Sequence, residues 1–208
     1  MTQVSTDVLI DRIPVGRNLA TDAVWVIAFS LVTAACAQFS WHVPFLPVPI
    51  TGQTFAVLLS GAVLGWRRAF LSQMAYLAEG VAGLPVFADF SGSALHLVGP
   101  SGGFLLCFPL AAALVGFMVE RGFARSAWKL AGALISGDIL ILVGGSCWLH
   151  WLFRISFAQA WLLGFYPFLV ADVAKVALVG STLPRILRWS QDSRTDSVLS
   201  DKPARFGN

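Results

Sequence analysis

The sequence predicts an all-α integral membrane protein: six transmembrane helices, both termini cytoplasmic, and an apolar extracytoplasmic loop acting as a lid. Three observations carry that expectation. Of 208 residues, 57% are hydrophobic and 12% charged, with a mean hydropathy of +0.75. That is about half the roughly 25% charged residues of a soluble domain. Apolar runs recur along the chain at or near the length that crosses a bilayer. Basic residues, finally, gather on one side of those runs. The same figures exclude a disordered chain, a coiled coil and a nucleic-acid-binding domain, and the net charge of +3 matters less than where its residues stand.

The elements follow in order. Residues 1–20 form a mixed polar cytoplasmic segment with Arg12 and Arg17 close to the first span. Residues 21–188 form the membrane domain, and 189–208 a polar, flexible cytoplasmic tail. The first apolar run, 22–39, covers most of a bilayer at about 1.5 Å per residue. Its end, Thr33-Ala34-Ala35-Cys36-Ala37, imitates a signal-peptide cleavage site, but further long apolar segments follow and favour a first membrane helix. The break Trp41-His42-Val43-Pro44-Phe45-Leu46-Pro47-Val48-Pro49 cannot be helical, because each proline restricts itself and the residue before it. Residues 51–65 make a short second span, Trp66-Arg67-Arg68 a tight basic turn, and 69–81 a short third span.

Two spans this short hardly cross roughly 30 Å of hydrocarbon, so something must fill the outer layer above them. Residues 83–101 suit that role, being rich in Gly and Pro yet apolar through Leu84, Val86, Phe87, Phe90, Leu95, Leu97 and Val98. Non-helical backbone at membrane depth needs protein or a polar cavity beneath it, which suggests a lid over a pocket. The fourth span is 102–119, the fifth 130–152, and the sixth lies within 157–187.

With the N-terminus inside, Arg12, Arg17, Arg67, Arg68, Arg121, Arg125, Lys129, Arg185, Arg188, Arg194, Lys202 and Arg205 are all cytoplasmic. Of the 14 basic residues only Arg154 lies outside, and Lys175 falls within the sixth span. Tryptophans mark both boundaries: Trp25, Trp66, Trp128 and Trp189 at inner ends, Trp41, Trp148, Trp151 and Trp161 at outer ends. Cys36, Cys107 and Cys147 form no CxxC pattern and read as buried structural thiols.

Ionisable groups inside a span cost a few kcal/mol each at the bilayer centre and ask for a reason. Asp172 and Lys175 stand three residues apart on the sixth span and project from one helical face. They are either a neutralising pair between helices or the polar end of a ligand pocket, Asp172 accepting N–H donors and Lys175 donating to a carbonyl or carboxylate. Asp138 is a third intramembrane charge, read as structural. Glu79, near an outer helix end, is expected to snorkel to water. Gln53 and Tyr76 are uncharged polar groups on the cavity side.

His42, His96 and His150 all fall on the outer side, but their spacing matches no metal-ligand motif and no metal is expected. No Walker A sequence is present, so active transport would draw its energy from elsewhere. Gly99-Pro100-Ser101-Gly102 imitates the serine of an intramembrane protease. Such an enzyme needs a histidine on the sixth span as base, and 157–187 contains none. Residues 99–103 then read as a turn and helix start, with Ser101 as cap and free backbone N–H groups facing the pocket.

Several motifs together resemble one family. They are Pro49-Ile50-Thr51-Gly52-Gln53-Thr54, Leu64-Gly65, Gly83-Leu84-Pro85-Val86-Phe87-Ala88, Gly99-Pro100-Ser101-Gly102-Gly103-Phe104 and Asp172-x-x-Lys175. Their order and spacing are similar to the BioY family, the biotin-binding S components of energy-coupling factor (ECF) transporters. The resemblance implies six helices and an outward-facing biotin pocket roofed by the first and third extracytoplasmic loops. It implies that Asp172 and Lys175 hold polar atoms of biotin, with Gln53, Tyr76, Gly83, Val86, Phe87 and Ser101 lining the site.

Where the family usually shows GPTGGY, this chain has Ser101, which keeps the hydroxyl, and Phe104, which loses one. S components dock a coupling protein through small residues on the first helix, for which Ser30 and Ala34 are the nearest match here. The expected partners are biotin, membrane lipid, and an ECF transmembrane coupling protein with its ATPase pair; a homo-oligomer is left open, and nucleic acid is not expected. No cofactor is expected, biotin being the carried ligand. The expected location is the bacterial inner (cytoplasmic) membrane, with several passes. The alternatives are an intramembrane serine protease using Ser101, or an S component for a different vitamin.

Overall fold

A computed structural model describes residues 19–169 and Asp172. The described residues form seven helices: α1 Leu19–Ala37, α2 Gln53–Leu64, α3 Trp66–Val81, α4 Leu95–Val98, α5 Gly102–Glu120, α6 Ala127–Phe153 and α7 Phe157–Gly164. Helix resumes at 166–169 and includes Asp172. Lys175, the rest of the sixth span and both terminal segments lie outside the described residues.

Three helices, α1, α5 and α6, are long and apolar enough to cross a membrane. At about 1.5 Å per residue the 12 residues of α2 and the 16 of α3 fall short of roughly 30 Å. The expected basic turn between them contracts to one residue. Gly65, at φ 78° and ψ 173°, adopts a conformation that a side chain would strain, so α3 begins directly at Trp66. The Glu120 carboxylate accepts from the Trp66 N–H (3.1 Å), and Arg68 pairs with Asp22 of α1 at 2.8 Å. Together these tie α1, α3 and α5 at the end remote from the lid.

α5 is the central helix. It packs against α2, α3 and α6, while α1 lies on α2 and α3, and α7 on α6. Of α1's apolar window 11% is buried, against 61% for α5, so α1 turns most of its surface outward. Ser156 and Gln159 form a reciprocal capping box that starts α7 just after Arg154 ends α6 in a left-handed conformation.

The Pro-rich break is not wholly irregular. Ser40–Trp41 (β1) pairs antiparallel with Ile50–Thr51 (β2), Ser40 opposite Thr51 and Trp41 opposite Ile50, making a hairpin at the lid end of the bundle. Residues 83–101, expected to be a loop, hold a 3-10 turn at Ala88–Phe90 and the single turn of α4. Cys147, expected to be buried, is exposed on α6, while Cys36 and Cys107 are half-buried.

Candidate functional site: a lidded cleft

The hairpin, the lid, α2, α5, α6 and the helical continuation of α7 surround a cleft whose empty space, the solvent at its open mouth included, is about 560 Å³. Phe104, Phe108, Leu142 and Phe168 make much of the wall, and Val48 and Pro49 close it from the hairpin.

Three polar groups stand where α2 begins. Thr54 Oγ1 donates to Asp172 Oδ1 at 2.8 Å, inside a fully buried environment. Thr51 Oγ1 donates to Gln53 Oε1 at 3.0 Å, and the Gln53 Nε2 donates to the Tyr76 hydroxyl at 2.5 Å. Tyr76 in turn donates to the Val86 carbonyl at 3.1 Å. A chain of hydrogen bonds therefore runs from the hairpin through α2 and α3 to the backbone of the lid.

The lid is seated by packing as well. A Cβ on Gly80 would lie 2.0 Å from the Phe87 ring, so only glycine leaves the space the ring occupies. Phe87 also meets the Tyr76 ring edge-on, with centroids 5.5 Å apart. Gln38, just past α1, donates to the Phe87 carbonyl (3.2 Å) and accepts from the Phe90 N–H (2.9 Å). Asp89 accepts from Ser40 at 2.6 Å and pairs with His42 at 3.2 Å, and Trp148 of α6 donates to the Gly99 carbonyl at 2.9 Å.

Of the residues expected at the site, Gln53, Phe87 and Ser101 line the cleft, and Asp172 meets its lining through Thr54. Tyr76 and Val86 stand behind the wall and hold it together rather than face the space. Gly83 is exposed, at φ 93°, in the turn that leaves α3. Ser101 precedes α5, but its side chain makes no capping bond, because its backbone is already helical (φ −76°, ψ −12°).

The docking expectation for Ser30 and Ala34 is corrected. Both face inward, 0% and 9% exposed, and the Ser30 hydroxyl lies 2.8 Å from Glu79 Oε1 on α3. Glu79 therefore points into the bundle instead of toward water. The three histidines have separate neighbours: His42 Asp89, His96 Ser91, and His150 the Ile155 carbonyl and the Phe157 ring. Sequence reasoning missed Thr54, which sits inside the Pro-x-Thr-x-Gln-Thr motif beside Gln53. It also missed His96, weighed there only as a metal ligand.

A family model described as the BioY family matches residues 5–192. A Pyrococcus horikoshii protein named "Probable biotin transporter BioY" is 41% identical over 153 residues, covering 73% of this chain and 87% of its own length. A Thermotoga maritima protein named "Biotin transporter BioY" is 36% identical over 159 residues, covering 74% and 89%. Among solved structures, the crystal structure of the S-component for biotin from an ECF-type ABC transporter aligns with a TM-score of 0.76 at 22% identity, over 83% of this chain and 95% of that one. That likeness establishes the shared fold.

Proposed function

The chain belongs to the BioY family, and from that premise we propose that it captures biotin in the lidded cleft. It then takes biotin up across the cytoplasmic membrane as the substrate-specific subunit of an ECF importer. The observation that carries the site is the Thr54–Asp172 pair, a buried carboxylate held at the edge of a mostly apolar cleft. A carboxylate is an acceptor, so it suits the N–H donors of biotin's ureido group, while the aromatic wall suits the bicyclic ring and alkyl chain. Lys175, three residues after Asp172 in the sequence, supplies a donor for the ureido oxygen or the carboxylate.

The protein is a transporter subunit and not an enzyme. Without a nucleotide-binding motif of its own, it draws on a coupling membrane protein and an ATPase pair to release its ligand inward. The orientation follows from the basic residues: lid outside, both termini in the cytoplasm. Calorimetric titration of the purified chain in detergent tests this reading. Tight biotin binding, largely lost in Asp172→Asn and Lys175→Ala, is the expected result; unchanged affinity in both variants removes those residues from the site.

A further inference from the structure

The lid turns sharply at residues 87–91, and its backbone there is strained. Asp89 (φ 58°, ψ 37°) and Phe90 (φ 53°) both lie in the left-handed region. Aspartate visits that region at modest cost, but a bulky residue rarely does. Packing does not hold Phe90 there, since its side chain is 73% exposed. A strained turn persists only where its surroundings over-determine it, and here the surroundings are residues 38–42. Gln38 spends both amide hydrogens, one on the Ala34 carbonyl of α1 at 2.9 Å and one on the Phe87 carbonyl at 3.2 Å. Its oxygen accepts from the Phe90 N–H at 2.9 Å. One side chain therefore joins the last turn of α1 to both ends of the lid turn. Ser40 and His42 add their bonds to the Asp89 carboxylate. The Phe87 N–H donates to the Ser91 carbonyl at 2.9 Å, which closes the turn at its base.

We propose that Gln38 is a latch: it holds the strained turn closed over the cleft, and parting from it lets ligand pass. Ala88, within the turn, lines the cleft, whereas Gln38 does not. Separating the turn from Gln38 thus opens the wall without removing a contact that Gln38 makes to ligand. The seam suits repeated opening, because the bonds to Phe90 and Asp89 are exposed and water replaces each lost partner. Phe87, 1% exposed beside Gly80, is the anchored end of the turn. Strain at Asp89 and Phe90 acts in the same direction, since it is relieved when the turn comes free. Gln38 therefore sets how fast ligand exchanges rather than how tightly it is held.

The test follows exchange of radiolabelled biotin on the purified full chain in detergent, a probe whose choice rests on the biotin reading above. Gln38→Met keeps the length of the side chain and removes its polar atoms. Association and dissociation should both quicken about tenfold, with the affinity moving less than about twofold. Ser40→Ala, which loosens the same seam, should quicken both about threefold. Unchanged rates in both variants overturn the latch. So does a Gln38→Met chain that loses affinity while its association rate holds, because Gln38 would then shape the bound site. Amide exchange without ligand gives a second reading: residues 87–91 should exchange faster in Gln38→Met while α5 keeps its protection, and equal exchange at 87–91 overturns the latch as well. A wild-type chain that binds no biotin overturns the biotin reading, and amide exchange then decides the latch alone.

Discussion

Two buried hydrogen-bond networks cross this helix bundle, and they differ in where they end. One runs Thr51–Gln53–Tyr76–Val86 and terminates on the lid backbone beside the cleft. The other joins α1, α2 and α3: Gln73 Nε2 lies 3.1 Å from Thr33 Oγ1 and 3.2 Å from Ser60 Oγ, and Ser30 lies against Glu79. The side chains resemble one another in chemistry, and all of Tyr76, Gln73, Thr33 and Ser60 are buried. In the second network, however, Gln73 Oε1 and the nearby Ser72 hydroxyl have no hydrogen-bond partner among the described residues. The first network shapes the cleft; the second fastens helices. Burial alone does not separate the two roles, and the terminus of each chain does.

Breaking the site itself should have the largest effect. Asp172→Asn removes the charge while keeping the shape, and biotin affinity should fall on the order of 100-fold in calorimetry. Thermal unfolding in detergent should change little. Next comes the seat of the lid. Gly80→Val places side-chain atoms where the Phe87 ring lies, and the overpacking should displace the ring and cost about tenfold in biotin affinity. Tyr76→Phe is milder. It keeps the ring contact with Phe87 but deprives Gln53 and the Val86 carbonyl of a partner, so affinity should fall about fivefold and stability by about 1 kcal/mol.

The smallest effect sharpens the contrast most. Gln73→Leu fills the same space without polar atoms, and it should alter stability by less than about 1 kcal/mol, since interhelical hydrogen bonds in membranes are individually weak. Biotin affinity should not move. If Gln73→Leu weakens biotin as much as Tyr76→Phe does, the two networks are one, and the distinction drawn from their ends is wrong.

Much of the fold was legible along the chain. The positions of the long helices followed from run length, because hydrocarbon thickness sets a minimum that α1, α5 and α6 all meet. The short α2 and α3 pointed correctly to covering material above them. Gln53 and Asp172, named because polar groups stand out in so apolar a chain, and Phe87 and Ser101, named through the motif resemblance, all stand at or beside the cleft. Gly83, named through its motif, stands exposed in the turn that leaves α3. Ser30 and Ala34 were misread because small residues on a membrane helix mark close packing without saying which neighbour is packed.

The sequence by itself determined that the chain lives in a membrane, where its helices lie, and that Asp172 is exceptional among its neighbours. Those conclusions rest on the cost of placing polar groups in lipid, a property of each segment taken alone. Tertiary structure alone decided that α5 is central and α1 peripheral, although both have 19 residues and similar hydropathy. It also decided that Thr54 meets Asp172 across 118 positions of sequence and that His96 reaches the cleft. Lipid is as apolar as a helix interface, so hydropathy cannot tell inward from outward in a membrane protein. Only the packing of one helix on another makes that choice.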